Sequence, residues 1–142
     1  MSLLDKLFNG FKKGLSISSK IIIYTFPFYV LIDFLKAIGF LDKISFIFEP
    51  ITKLMGLPGE AAIVLVSGFL INLYPALGSM AAMDLSVKQI TIIGIVLGIA
   101  HNLIVEGVVL SKSGVKLYIT ISFRVILAII TGIMVNLIWN LI

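Results

Sequence analysis

Residues 94–110 read GIVLGIAHNLIVEGVVL, an apolar run that carries the chain's only histidine, His101, followed by Asn102 and Glu106. On a helix Asn102 and Glu106 lie four residues apart and share a face. An amide and a carboxylate one turn apart make sense only if that face is turned away from lipid. The surrounding composition says that lipid is the solvent. Of 142 residues 60% are hydrophobic and 13% charged, and mean hydropathy is +1.19. A soluble domain carries about a quarter charged residues.

Outward from this run, the chain holds four apolar stretches to compare with the roughly 20 residues a spanning helix needs. The first covers residues 17–40 and contains Pro27, which is expected to bend it, and Asp33. The second, PGEAAIVLVSGFLINLYPALGSMAAM, is interrupted at its centre. Pro75 frees a backbone carbonyl and Gly78 permits unusual dihedrals, so a break is expected over residues 74–78. Either this is an ordinary proline kink, or Asn72 and Ser79 face an internal cavity. The third stretch covers 87–110 and the fourth 115–142, joined by the turn SKSG. With four spans, both termini lie on one side of the membrane, and the lysines divide five against five.

Two further segments are amphipathic. SLLDKLFNGFKKGL, within residues 1–16, has an apolar stripe among lysines and is expected to lie on the membrane surface. LDKISFIFEPITKLMG is too short and too charged to span and is expected to be interfacial or re-entrant. Gly56 should end it, and Glu49 and Lys53 can pair. The fold expected is thus all-α: one polytopic membrane helix bundle over residues 1–142, with about four spans, one broken helix and interfacial amphipathic helices.

Each span keeps a small or polar stripe. Gly94, Gly98, Asn102 and Glu106 recur every four residues, as do Thr120, Arg124, Ala128, Gly132 and Asn136. Gly94, Gly98 and Gly132 suit close helix packing. Antiparallel third and fourth spans bring Arg124 within reach of Glu106, and unpaired charges at membrane depth are rarely kept. The pair either locks the bundle or lines a path for a solute or ion, with Tyr74 beside the break. His101 points about 100° from Asn102 on a continuous helix. One histidine with no cysteine makes a poor metal site, so no metal or cofactor is expected. Ser79 with His101 has no motif context, which argues against an enzyme. The scattered charge, +4 net, suits lipid headgroups and not nucleic acid.

The order GLPGEAAIVLVSGFLINLYPALGS, then a glycine-rich helix ending HNLIVEG, then an arginine-bearing last helix, resembles the Gate or nucleoside-recognition domain family over residues 41–142. That family includes the spore maturation proteins A and B, the gate regions of ferrous-iron transport protein B, and parts of concentrative nucleoside transporters. The resemblance implies a multi-pass protein of the prokaryotic cytoplasmic membrane, associated with transport. Its matching positions are Glu60, Asn72, Pro75, Ser79, Asn102 and Glu106. The function expected is a transporter or half-transporter for a nucleoside-like solute or an ion. It would act as a homo-oligomer, for instance an antiparallel dimer, or with a related subunit. The alternative is a structural or regulatory membrane subunit whose stripes only pack helices.

Overall fold

The computed structural model describes residues 3–141, and all their regular structure is helical. Seven helices follow in order: α1 (Leu3–Ala37), α2 (Phe40–Leu54), α3 (Ala61–Leu70), α4 (Leu73–Ala81), α5 (Val87–Ala100), α6 (Leu103–Ser111) and α7 (Leu117–Trp139). Three segments are long and apolar enough to cross a membrane: Leu3–Ala37, Val87–Ser111 and Leu117–Trp139. The second stretch expected to span is not among them.

That stretch folds back on itself. A Cβ built on Gly68 would lie 3.2 Å from the Cβ of Ala76, eight residues later. A straight helix would separate those positions by about 12 Å. α3 and α4 therefore form a hairpin, each arm reaching about half the depth of a ~30 Å hydrocarbon core. The reversal falls at Ile71 and Asn72, ahead of the expected 74–78. Asn72 is extended, and its side-chain oxygen accepts the Tyr74 N–H at 2.9 Å, capping α4. Pro75 sits in the first turn of α4, where its missing N–H costs nothing, and it does not kink a span.

The amino-terminal segment also departs from expectation. Residues 3–37 form one helix with no joint near residue 16, and Pro27 lies inside it. At 1.5 Å per residue it is about 52 Å long, well beyond the hydrocarbon thickness. α4 runs parallel to its second half. The rings of Tyr24 and Tyr74 are 5.7 Å apart, Gly78 rests on Thr25–Tyr29, and Lys36 pairs with Asp84 at 3.5 Å.

The α5–α6 segment and α7 are antiparallel neighbours. Lys88 Nζ donates to Asn140 Oδ1 at 2.7 Å, Gly132 lies against Val96, and Gly107 lies against Leu117. α2 begins where α1 ends and is held at its far end by Asn136, whose Nδ2 donates to the Leu54 carbonyl at 3.1 Å. It packs against α3, with Ile44 and Phe48 sharing a cleft with Val66 and Leu70. Its Glu49–Lys53 pair forms at 3.5 Å, and Gly56 leaves it at φ +69°. The core gathers α3, α5 and the adjoining faces of α2 and α7, with Val64, Ile92, Ile93, Val96 and Ala128 buried. Much of the outer face is exposed leucine, isoleucine and phenylalanine, as a lipid-facing surface requires.

The contact of α4 with α1 tests this packing. A Cβ at Gly78 would stand 2.3 Å from the Thr25 carbonyl oxygen, whereas one at Gly10 would meet nothing within 4 Å. Gly10→Ala is expected to gain up to about 1 kcal/mol from helix propensity. Gly78→Ala is expected to lose about 1–3 kcal/mol from overpacking. Thermal unfolding in detergent reads both, and a stabilised Gly78→Ala protein would contradict the α1–α4 contact.

Candidate functional site

The third apolar stretch is broken where the sequence pattern runs through without interruption. His101 is extended (φ −70°, ψ 156°) and Asn102 is left-handed (φ 51°, ψ 40°). Asparagine tolerates that conformation better than other side chains bearing a Cβ, and it is a recognised residue after a helix end. Two residues thus separate α5 from α6.

This break docks on the hairpin. The Asn102 N–H donates to the Gly68 carbonyl at 2.9 Å, so an orphan donor at the start of α6 meets an orphan acceptor in the last turn of α3. Irregular backbone at membrane depth persists only where protein buries it or water reaches it. Here each break meets part of the other's need. The Asn102 side-chain oxygen is buried with no hydrogen-bond partner.

The same break redirects His101. Its Nε2 lies 3.3 Å from Glu106 Oε1, and its Nδ1 lies 3.0 Å from the Leu97 carbonyl. On an uninterrupted helix it would point elsewhere, which is why the sequence reading left it out of the charged group. Glu106 Oε2 takes Arg124 Nη1, as the antiparallel arrangement predicts. Arg124 also donates from Nε to the Ile99 carbonyl at 2.8 Å, one of the last carbonyls of α5. Its side chain is 17% exposed, that of Glu106 39%. One carboxylate thus joins an imidazole and a guanidinium across three helices.

The remaining predicted positions are dispersed. Glu60 precedes α3, eight residues before Gly68, at the base of the hairpin and away from this network. Tyr74 faces Tyr24. Pro75 is buried, and Ser79 is 1% exposed with its hydroxyl donating to the Pro75 carbonyl at 2.8 Å. That bond satisfies the Ser79 hydroxyl within α4 itself. Gly132 packs against Met55 and Val96, but Gly94 and Gly98 are exposed with nothing near their Cβ positions. Among the described residues they join no helices. Among the described residues no three His, Asp or Glu side chains converge as metal ligands would. Other clefts lie outside this network. One of about 580 Å³ is bordered by Glu49 and Lys53 of α2. Another, apolar and of about 300 Å³, lies between α2 and α3, lined by Ile44, Phe48, Ile63 and Val66 among others.

Comparison with known proteins bears on what this arrangement serves. The chain is 37% identical over 115 residues to the uncharacterized membrane protein YvoD of Bacillus subtilis (strain 168), covering 81% of this chain and 37% of that protein. It is 34% identical over 83 residues to the inner membrane protein YjiG of Escherichia coli (strain K12), covering 58% of this chain and 54% of that one. A third relative is the uncharacterized protein MJ0880 of Methanocaldococcus jannaschii, 40% identical over 63 residues, with 44% and 20% covered. The matches therefore span about half or less of these relatives' own lengths. No solved structure matches the chain. The membrane relatives and the apolar helices mark a multi-pass membrane protein. The family model described as nucleoside recognition matches residues 18–139, beginning well before the 41–142 of the motif resemblance, and the chain belongs to that family, Gate.

Proposed function

We propose that this chain forms one half of a membrane path for a small polar solute of nucleoside type or for an ion, in a prokaryotic cytoplasmic membrane. The second half is a further Gate unit, from another copy of the chain or a related subunit. The observation that carries this reading is the docking of two helix breaks, Ile71–Asn72 and His101–Asn102, through the Asn102–Gly68 bond. Broken helices put helix ends and free backbone groups near the midplane, where transporter sites form. An unpaired buried acceptor costs about 1–3 kcal/mol, and a donor on the solute would recover it at Asn102 Oδ1. The exposed Gly94 and Gly98 leave a flat strip of α5 open to the second unit.

Purified protein in liposomes, offered nucleosides and divalent cations with an internal pH dye, tests the proposal. Uptake of at least one probe is expected. Asn102→Gly keeps the left-handed backbone and removes only the side chain, so it is expected to fold normally and lose at least about tenfold in uptake, the worth of roughly 1.4 kcal/mol. A folded protein that moves none of these probes would leave the other reading, a structural subunit whose stripes only pack helices.

A further inference from the structure

The partners of His101 assign its hydrogens. Nδ1 lies 3.0 Å from the Leu97 carbonyl, which can only accept, so Nδ1 carries a hydrogen. In a neutral ring Nε2 is then a bare lone pair. It faces Glu106 Oε1 at 3.3 Å, and two acceptors at that distance repel. One added proton turns the contact into a charge-assisted hydrogen bond. Arg124 supplies the positive charge that an ionised Glu106 needs on its other oxygen, so the added proton belongs on the imidazole.

We propose that His101 and Glu106 form a proton-binding site, with the proton on Nε2 and held against the carboxylate. Little else competes for it. α3 has no titratable side chain and α4 only Tyr74. α6 has only Glu106, and α7 has Arg124 and Tyr118, the latter six residues from the arginine. On α5 the nearest charge is Lys88, thirteen residues before His101. When the proton leaves, the Nε2 lone pair and the carboxylate push the ring from its place. The ring sits on the 101–102 link, whose next N–H holds the hairpin at Gly68, so proton occupancy and the docking of the two breaks are coupled. Its role as the driving ion rests on the transport reading above; the site itself does not.

Because His101 is the only histidine, ring ¹⁵N resonances from histidine-labelled protein in lipid nanodiscs report this site alone. Titration is expected to show both ring nitrogens protonated on the acid side and only Nδ1 protonated on the basic side. Glu106→Gln, which retains the shape, is expected to weaken proton binding by about tenfold or more, and Arg124→Gln to strengthen it, since the carboxylate then answers to His101 alone. The two variants move in opposite directions, and either one that folds decides the matter. A midpoint that stays put in the folded variant, or a neutral ring protonated on Nε2, overturns the proposal. Should these shifts occur while liposomes take up nothing, the proton site stands and the transport reading falls. Should uptake be observed, His101→Gln is expected to remove its dependence on pH.

Discussion

Glu106→Leu is expected to destabilise the folded protein more than Arg124→Leu, and the double variant less than the sum of the two. Removing Glu106 leaves Arg124 with only the Ile99 carbonyl, and a guanidinium cannot shed its proton. A stranded charge at membrane depth costs about 2.5–3.5 kcal/mol on insertion scales. Removing Arg124 instead leaves Glu106 beside His101, which can take up a proton and answer the charge. Removing both deletes the mismatch, and a well-packed apolar pair in place of an ion pair is often neutral. A double-mutant cycle by reversible unfolding in mixed micelles measures these differences. Repeating Arg124→Leu in a His101→Gln background is expected to raise its cost, though not to that of Glu106→Leu. A stranded carboxyl group can still neutralise itself by taking up a proton. Additive losses, or equal losses from the two single variants with His101 present, would show that the three side chains do not act together.

The Glu106–Arg124 pair was legible because it depends only on two quantities the sequence supplies, the length of the SKSG turn and the rise per residue. His101 was not, because the spacing of Gly94, Gly98, Asn102 and Glu106 continues through residue 102 as if the helix did. The pattern of small and polar residues records which face is sheltered, and a sheltered face persists on both sides of a break. The one local sign was Asn102 itself, a residue suited to the left-handed turn after a helix. The hairpin was misread for a related reason. Residues 58–83 are apolar enough and long enough to cross, and Pro75 drew the reading toward a kink. The information lay in Asn72, a good helix cap placed three residues before a proline that belongs in a first turn. α2 and the all-helical membrane class were readable because charge and amphipathic spacing report them directly. The joint expected near residue 16 was absent because Gly10, Gly14 and the lysines interrupt the apolar stripe without interrupting the backbone.

A hairpin in place of one crossing puts every later loop on the other side of the membrane. Three crossings, by the segments α1, α5–α6 and α7 that are long and apolar enough, would place the 112–116 turn with the start of α1, and residues 82–86 with the end of α7. The lysines, five against five in a four-span chain, now divide unequally. Lys6, Lys12, Lys13, Lys20, Lys112 and Lys116 gather toward one side, and Lys36, Lys43, Lys53 and Lys88 toward the other. Lysine excess in short loops faces the cytoplasm. The start of α1 and the 112–116 turn are therefore expected inside, and the hairpin's open end, α2 and the end of α7 outside. A reporter active only outside the cytoplasm should give signal after residue 142 and none at residue 113, and a cytoplasmic reporter the reverse. Four crossings would instead put residue 113 opposite both ends, so a reporter pair at residues 3 and 113 that disagrees would sink the hairpin. Exchanging Lys12, Lys13, Lys112 and Lys116 for serine leaves two lysines against four and is expected to turn much of the population over. Strong signal of both kinds after residue 142 in the unmodified chain would mean that it inserts both ways, which an antiparallel pair of identical copies requires. Signal of one kind alone would assign the second Gate unit to a parallel copy or to a related subunit of opposite orientation.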